Sequence, residues 1–337
     1  MRIWRGTGLS PATELAGLRA AFPRPVVSIG VFDGVHRGHQ KILAAARRHA
    51  DETGRALLAV TFDPIPERVL RPQAAPPLLA TTARRLALLE QAQVDGVYLV
   101  EFTTEFAALT PDQFVKTVLA DGLDASAVVV GANFRFGHRA SGDVTTLTHH
   151  AGQFGYAVEA VDLLTLAVPA EPTDDAHAAA QDDPRPAELV TVSSSWIRQQ
   201  IAAGWVARAA VALGRPHRLE GEVQHGDRRG RSLGYPTANL AVAGDLALPA
   251  DGVYAGWLDG MPAAISVGTN PTFGGTVRRV EAYVLDRDDL DYYGKSVTVD
   301  FARRIRGMVR FAQVDELRRQ MDDDVARCRD ILRTVTA

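Results

Sequence analysis

One cysteine, Cys328, in 337 residues excludes an intrachain disulfide and any metal site built on several thiolates, and its place in a late helical stretch suits packing. Long apolar runs are missing as well. None approaches the roughly 20 residues that cross a bilayer, and the opening MRIWRGTGLSPATELAG has no signal-peptide core. Charge of one sign is also scarce: 37 Lys and Arg against 40 Asp and Glu leave a net −3, which removes the global electrostatic reason to expect nucleic acid or an anionic membrane as partner. These absences lead us to expect a cytoplasmic protein with neither partner, its self-association left open. What is present is a 46% hydrophobic content, enough for two domains with separate cores.

Near the start, Val31-Phe32-Asp33-Gly34-Val35-His36-Arg37-Gly38-His39 follows a short apolar run and leads into an amphipathic segment. On the first turn of a helix, residues three apart share a face, so His36 and His39 fall together. A helix start offers unpaired N–H groups and positive dipole character to an anion, and Gly34 and Gly38 let a ligand approach the backbone. Such a site suits phosphates, although two histidines at a helix start can also be ordinary surface residues. It suits nucleotidyl transfer, in which the attacking group is already an anionic phosphate and no proton has to be removed.

From Val26 to Val161, β-branched runs (Val26–Gly30, Ala56–Phe62, Val97–Val100, Ala127–Gly131, Tyr156–Val161) alternate with helical patterns (Gly38–Ala50, Thr81–Gln91, Pro111–Leu119, Asp143–Phe154). That order predicts a parallel α/β sheet with its ligands at the carboxyl ends of the strands. The motifs VFDGVHRGH, Thr61-Phe62-Asp63-Pro64 and Gly131-Ala132-Asn133-Phe134-Arg135-Phe136-Gly137 lie there. Residues 170–188, rich in Pro, Ala and Asp, read as a flexible insertion. Ser193-Ser194-Ser195-Trp196-Ile197-Arg198 then opens a helix: one serine is explained as an N-cap, and the hydroxyls with Arg198 suit a triphosphate.

After Gly214 the pattern changes to short alternating runs (Leu219–Val223, Gly252–Trp257, Ala263–Val267, Val280–Leu285, Ser296–Phe301), with a hairpin turn at Asp259-Gly260. This predicts a small antiparallel barrel, with a final helix from Val314 to Leu332 packed on it or on the neighbouring domain. In Gly234-Tyr235-Pro236-Thr237-Ala238-Asn239, extended geometry turns Thr237 and Asn239 to one face. Two neutral oxygens beside nucleotide phosphates suit a magnesium ion that keeps most of its waters, although a turn before an ordinary edge strand reads the same way. Upstream, a glycine-punctuated basic loop, 221–231, suits phosphates or a solvated turn. Glu281 is the one carboxylate in the apolar strand around it. A transfer whose nucleophile is an alcohol must dispose of a proton, which makes Glu281 a candidate base, although an isolated Glu in a strand more often only faces solvent.

Together these motifs resemble the bacterial bifunctional riboflavin kinase/FMN adenylyltransferase family, and the resemblance keeps the motif order along nearly the whole chain: VFDGVHRGH, TFDP, GANFRFG, SSSWIR, GYPTANL, DGVYAG, VGTNPTF, VEAYVLD and DYYGK. It implies an N-terminal nucleotidyltransferase-like α/β domain, 1–205, that adenylylates FMN to FAD, and a flavokinase barrel, 206–337, that phosphorylates riboflavin to FMN. Both would use ATP and Mg2+, with flavins as substrates and products. The resemblance further implies that Phe32, Asp33, Gly34, His36, Gly38, His39, Asn133, Ser193, Ser194 and Arg198 form the adenylyltransferase nucleotide site. In the kinase half, Gly230, Thr237 and Asn239 would take ATP, the latter two with the metal, and Glu281 would serve as base. Phe62, Asp63, Phe136 and Arg306 would meet the flavin. Ile65 stands where the family commonly has a histidine, which predicts altered flavin or phosphate contacts. Two rival readings are a single-activity nucleotidyltransferase of another substrate class and a non-catalytic flavin-binding protein; the Thr237, Asn239 and Glu281 grouping and the intact reactive positions speak against them.

Overall fold

The computed structural model describes residues 1–169, 187–224, 234–268, 278–287 and 292–335, the side chains of Pro11 and Ala12 excepted. Two compact units divide the chain: Met1–Pro76 with Thr81–Thr165, and Pro77–Ala80 with Leu166–Ala337.

The first unit is built on β1 (Arg2–Gly6), β2 (Val26–Ile29), α1 (Arg37–Thr53), β3 (Leu57–Phe62), α2 (Thr82–Gln91), β4 (Gly96–Val100), β5 (Ala127–Gly131), α3 (Val144–Phe154) and β6 (Ala157–Val161). Its six strands are all parallel, in the order β1-β4-β3-β2-β5-β6. Every residue of β2 to β5 is buried, because helices cover both faces of such a sheet. Alternation sorts the strand side chains into two cores: Val27, Ile29, Leu58, Val60 and Val128 on one face, and Val26, Leu57, Ala59, Val97 and Val129 on the other. The parallel α/β expectation is met, with one addition. Strand β1 pairs only with β4 and is half exposed, so its mixed RIWRG sequence carries no strand pattern that periodicity can detect.

β7 (Thr165–Val168), whose first residue ends the first unit, pairs with β8 (Glu188–Thr191) of the second, which continues with α4 (Ser194–Ala202) and α5 (Val206–Leu213). Most of the expected insertion, 170–186, lies outside the described residues. A closed barrel follows from β9 (His217–Gln224), β10 (Ala238–Val242), β11 (Gly252–Leu258), β12 (Met261–Gly268), β13 (Arg279–Val284) and β14 (Ser296–Arg306), in the order β10-β13-β12-β11-β14-β9. The turn at Asp259-Gly260 joins β11 to β12 as expected, both residues taking positive φ, 47° and 79°. Closure adds a sixth strand, β10, which carries Asn239 itself.

The final helix, α6 (Val314–Thr334), lies against β11, β12 and β14. This explains why β11 is buried on both faces: Tyr254 and Leu258 fill the barrel, while Val253 and Ala255 sit under the helix with Val325 and Cys328. Burial also pushes the Cys328 thiol up to about 12, in keeping with a packing residue.

Candidate active sites

In the first sheet the chain winds outward from β2 through β3 and β4 and then returns to the other flank of β2 with β5. The winding direction reverses there, and ligands of open α/β sheets sit in the crevice outside the carboxyl ends at such a point. Two motifs leave from it, VFDGVHRGH after β2 and GANFRFG after β5.

The first motif turns sharply. Phe32, Gly34 and Val35 take positive φ of 52°, 74° and 38°, a geometry that glycine tolerates without strain. His36 is then the cap of α1, its Nδ1 accepting the His39 N–H at 3.3 Å, as a Ser or Asp would at that position. The two imidazoles stack at 3.6 Å between centroids and 17° between planes, with Phe32 edge-on to His39 at 5.3 Å. The buried Nδ1 of His39 meets no protein partner. Enclosure holds His39 well below the ordinary histidine value of 6.5, and the stacked His36 adds to the effect. His39 is therefore neutral near neutral pH. Two imidazoles at a helix start, one of them with an unsatisfied nitrogen, are equipped to hydrogen-bond phosphate oxygens.

Arg85, on α2, is a residue that the sequence reading passed over. It is 2% exposed and donates from Nη1 to the Val31 carbonyl at 3.1 Å and from Nη2 to the Phe62 carbonyl at 2.6 Å. The Thr61 hydroxyl donates to the same Val31 carbonyl at 3.0 Å. Burial pulls the Arg85 guanidinium below its usual value, opposed by the charges of Asp33 and Asp63. The available signal was an arginine placed on the buried stripe of α2 with Leu88 and Leu89.

At the end of β3, Phe62 is edge-to-face with Phe102 at 5.5 Å. A row of rings continues through Phe106 and Phe114 to Phe136, where Phe134 stacks at 5.5 Å and 15°. Phe62 and Phe136 are 9% and 7% exposed, whereas Asn133 stands exposed beyond β5. Ile65 is 2% exposed and packs inward, so an apolar side chain fits that position.

Ser193, Ser194 and Arg198 belong to the second unit. Ser193 is the N-cap of α4, its hydroxyl accepting the Trp196 N–H at 3.2 Å, and Arg198 donates from Nε to the Pro77 carbonyl at 2.8 Å.

In the barrel, Asn239 on β10 stands directly opposite Glu281 on β13, and Glu281 is opposite Ser266 on β12. Leu240, Val280 and Ala282 point into the barrel core, so alternation turns Thr237, Asn239 and Glu281 to the outer face. The Thr237 hydroxyl lies 3.5 Å from Glu281 Oε2. Asn239 Oδ1 is buried with no protein partner, an arrangement that costs free energy unless a ligand or ion meets it. Gly230 lies outside the described residues. Arg306 shares a cross-strand row with Glu281 through Val253 and Ser266. Its guanidinium is committed to Asp324 of α6, with three contacts of 2.7 to 3.1 Å.

Two family descriptions match the chain, FAD synthetase over residues 19–168 and riboflavin kinase over residues 213–332. The bifunctional riboflavin kinase/FMN adenylyltransferase of Escherichia coli (strain K12) is 31% identical over 310 residues, 90% of this chain and 92% of that protein. The enzyme of the same description from Pseudomonas fluorescens is 34% identical over 320 residues, 94% and 95% of the two chains. A crystal structure described as a macrolide-efflux protein from Streptococcus pneumoniae superposes with TM-score 0.79 at 29% identity over 98% and 99% of the two chains. Efflux is a statement about that protein; among the described residues here, no helix is long and apolar enough to cross a membrane. The chain belongs to the bifunctional riboflavin kinase/FMN adenylyltransferase family, phosphorylating riboflavin to FMN with its barrel and adenylylating FMN to FAD with its parallel α/β half.

Proposed function

We propose that the two reactions are divided by the chemistry of their nucleophiles between residues 1–205 and 206–337, and that the juxtaposition of Thr237, Asn239 and Glu281 carries the kinase assignment. The hydroxyl to be phosphorylated must lose a proton, and Glu281 accepts it as the oxygen attacks the γ-phosphorus of ATP, whose bond to the β-phosphate breaks to release ADP. Thr237 and Asn239 supply neutral oxygens, and the buried, unsatisfied Oδ1 of Asn239 supports a site for Mg2+. When bound, the ion would offset charge on the phosphates. Mg2+ commonly keeps several waters and shares substrate phosphates, so two protein oxygens suit it.

In the adenylyltransferase, an FMN phosphate oxygen attacks the α-phosphorus of ATP and pyrophosphate leaves. The nucleophile carries no proton to remove, so this half needs donors and alignment. His36 and His39 hydrogen-bond the ATP phosphates, the turn of Phe32, Asp33, Gly34 and Gly38 brings backbone to them, and Asn133 adds a polar side chain; Ser193, Ser194 and Arg198, at the start of α4, are assigned to ATP by the family resemblance. Phe62, Asp63 and Phe136 line the flavin side. Arg306 acts on the kinase's flavin face while held by Asp324. A cytoplasmic location suits a chain with a single cysteine.

Purified protein incubated with riboflavin, ATP and Mg2+, its flavins separated by chromatography, tests the division. His36→Ala/His39→Ala is expected to abolish FAD and leave FMN formation. Glu281→Ala should remove FMN formation by at least about a hundredfold while FAD still forms from supplied FMN. Loss of both activities in either folded variant would overturn the assignment.

A further inference from the structure

Arg85 lies in no motif, yet its surroundings belong to two of them. Nη1 reaches the carbonyl of Val31, which opens the VFDGVHRGH turn, and Nη2 reaches the carbonyl of Phe62, the second residue of the TFDP segment. Asp33 of the first motif and Asp63 of the second both act on its charge. The side chain is 2% exposed on the buried stripe of α2. An arginine sealed from water has no solubility role, and an apolar residue there would pack at less desolvation cost. What the guanidinium supplies that an apolar residue or a lysine does not is a planar fork able to hold two carbonyls at a fixed separation.

We infer that Arg85 is a positioning residue for adenylyl transfer: it joins the turn that presents the two histidines to the Phe62-Asp63 segment, and so sets the alignment of the two reacting phosphates. The inference rests on the proposed assignment of those segments to ATP and flavin. Thr61, whose hydroxyl shares the Val31 carbonyl, is the lesser part of the same joint. Arg85 touches neither reacting group. Its effect falls on the geometry of attack, where a misplacement on the order of 1 Å costs about a hundredfold in rate. Each substrate still finds its own half-site intact.

The test compares Arg85→Lys with the unaltered protein in steady-state FAD formation from FMN and ATP, with riboflavin phosphorylation measured on the same preparations. Lysine keeps the charge facing Asp33 and Asp63 and loses the fork. The expected result is a fall in kcat of at least about tenfold, with KM for ATP and for FMN each within about twofold, and an unaltered kinase rate. Unchanged kcat would overturn the inference, as would a rise in both KM values at constant kcat, which would make Arg85 a general support of binding. Thr61→Val should give a smaller fall of the same kind, and no fall would also count against the joint. His36→Ala/His39→Ala is run in parallel: if that variant still makes FAD, the site assignment itself fails, whereas its inactivity beside a fully active Arg85→Lys overturns only the role of Arg85.

Discussion

His39 illustrates how much a residue's role depends on its enclosure. The spacing to His36 brings the two rings together, but stacking and burial hold the His39 imidazole neutral, well below the ordinary 6.5. A neutral ring offers one N–H and no full charge, so electrostatic help for the triphosphate must come from elsewhere in the site. For FAD formation, kcat/KM for ATP should therefore show no inflection from His39 between about pH 6.5 and 8. An inflection in that range that disappears in His39→Ala would show a charged ring in the free enzyme. Ile65 makes the converse point. Set against a family pattern it looks like a lost donor, whereas in the fold it is 2% exposed and packed inward.

Among the elements, α6 is the one whose work the sequence conceals. Its period predicts an amphipathic helix, yet the face turned to the barrel carries carboxylates. Asp322 accepts the Tyr235 hydroxyl just before Thr237, Asp324 takes Arg306, and Arg329 takes Asp286 after β13 at 2.5 and 3.3 Å. Asp324 is 4% exposed, so removing its charge leaves Arg306 enclosed without its partner. Breaking a buried pair in this way costs about 3 kcal/mol or more. Urea unfolding of Asp324→Asn should show the barrel transition moved to lower denaturant by an amount of that order; an unmoved midpoint would mean that water replaces the pair freely.

For the molecule as a whole, acid stability follows from His217. It is 1% exposed at the start of β9 and its Nε2 donates to the Ala247 carbonyl at 2.8 Å. Burial lowers its pKa from 6.5 to about 4. The unfolded chain takes up this proton below 6.5, whereas the folded barrel refuses it until about 4, so stability present above 6.5 is lost as pH falls across that window. The loss amounts to about 3 kcal/mol in all. His217→Gln keeps a donor for Ala247 and removes the titration, so its denaturation midpoint should fall less steeply between pH 6.5 and 4 than that of the unaltered protein.

Local pattern along the chain was enough to set the class of both halves and to suggest their chemistry. Period-2 and helical patterns are local, as are caps, glycine turns and motifs such as VFDGVHRGH and GYPTANL, so the parallel strands, the barrel and the positions of His36, His39, Asn239 and Glu281 were legible before any contact was known. Tertiary structure decided what depends on distant neighbours. It placed β1 at a half-exposed edge, where alternation gives no signal. Barrel closure set Asn239 opposite Glu281, 42 residues further along the chain. Only the fold could show that Arg85, which reads as one more arginine on an amphipathic helix, is buried between the Val31 and Phe62 carbonyls, because the carbonyls it holds and the charges facing it come from loops that meet only once the sheet has formed.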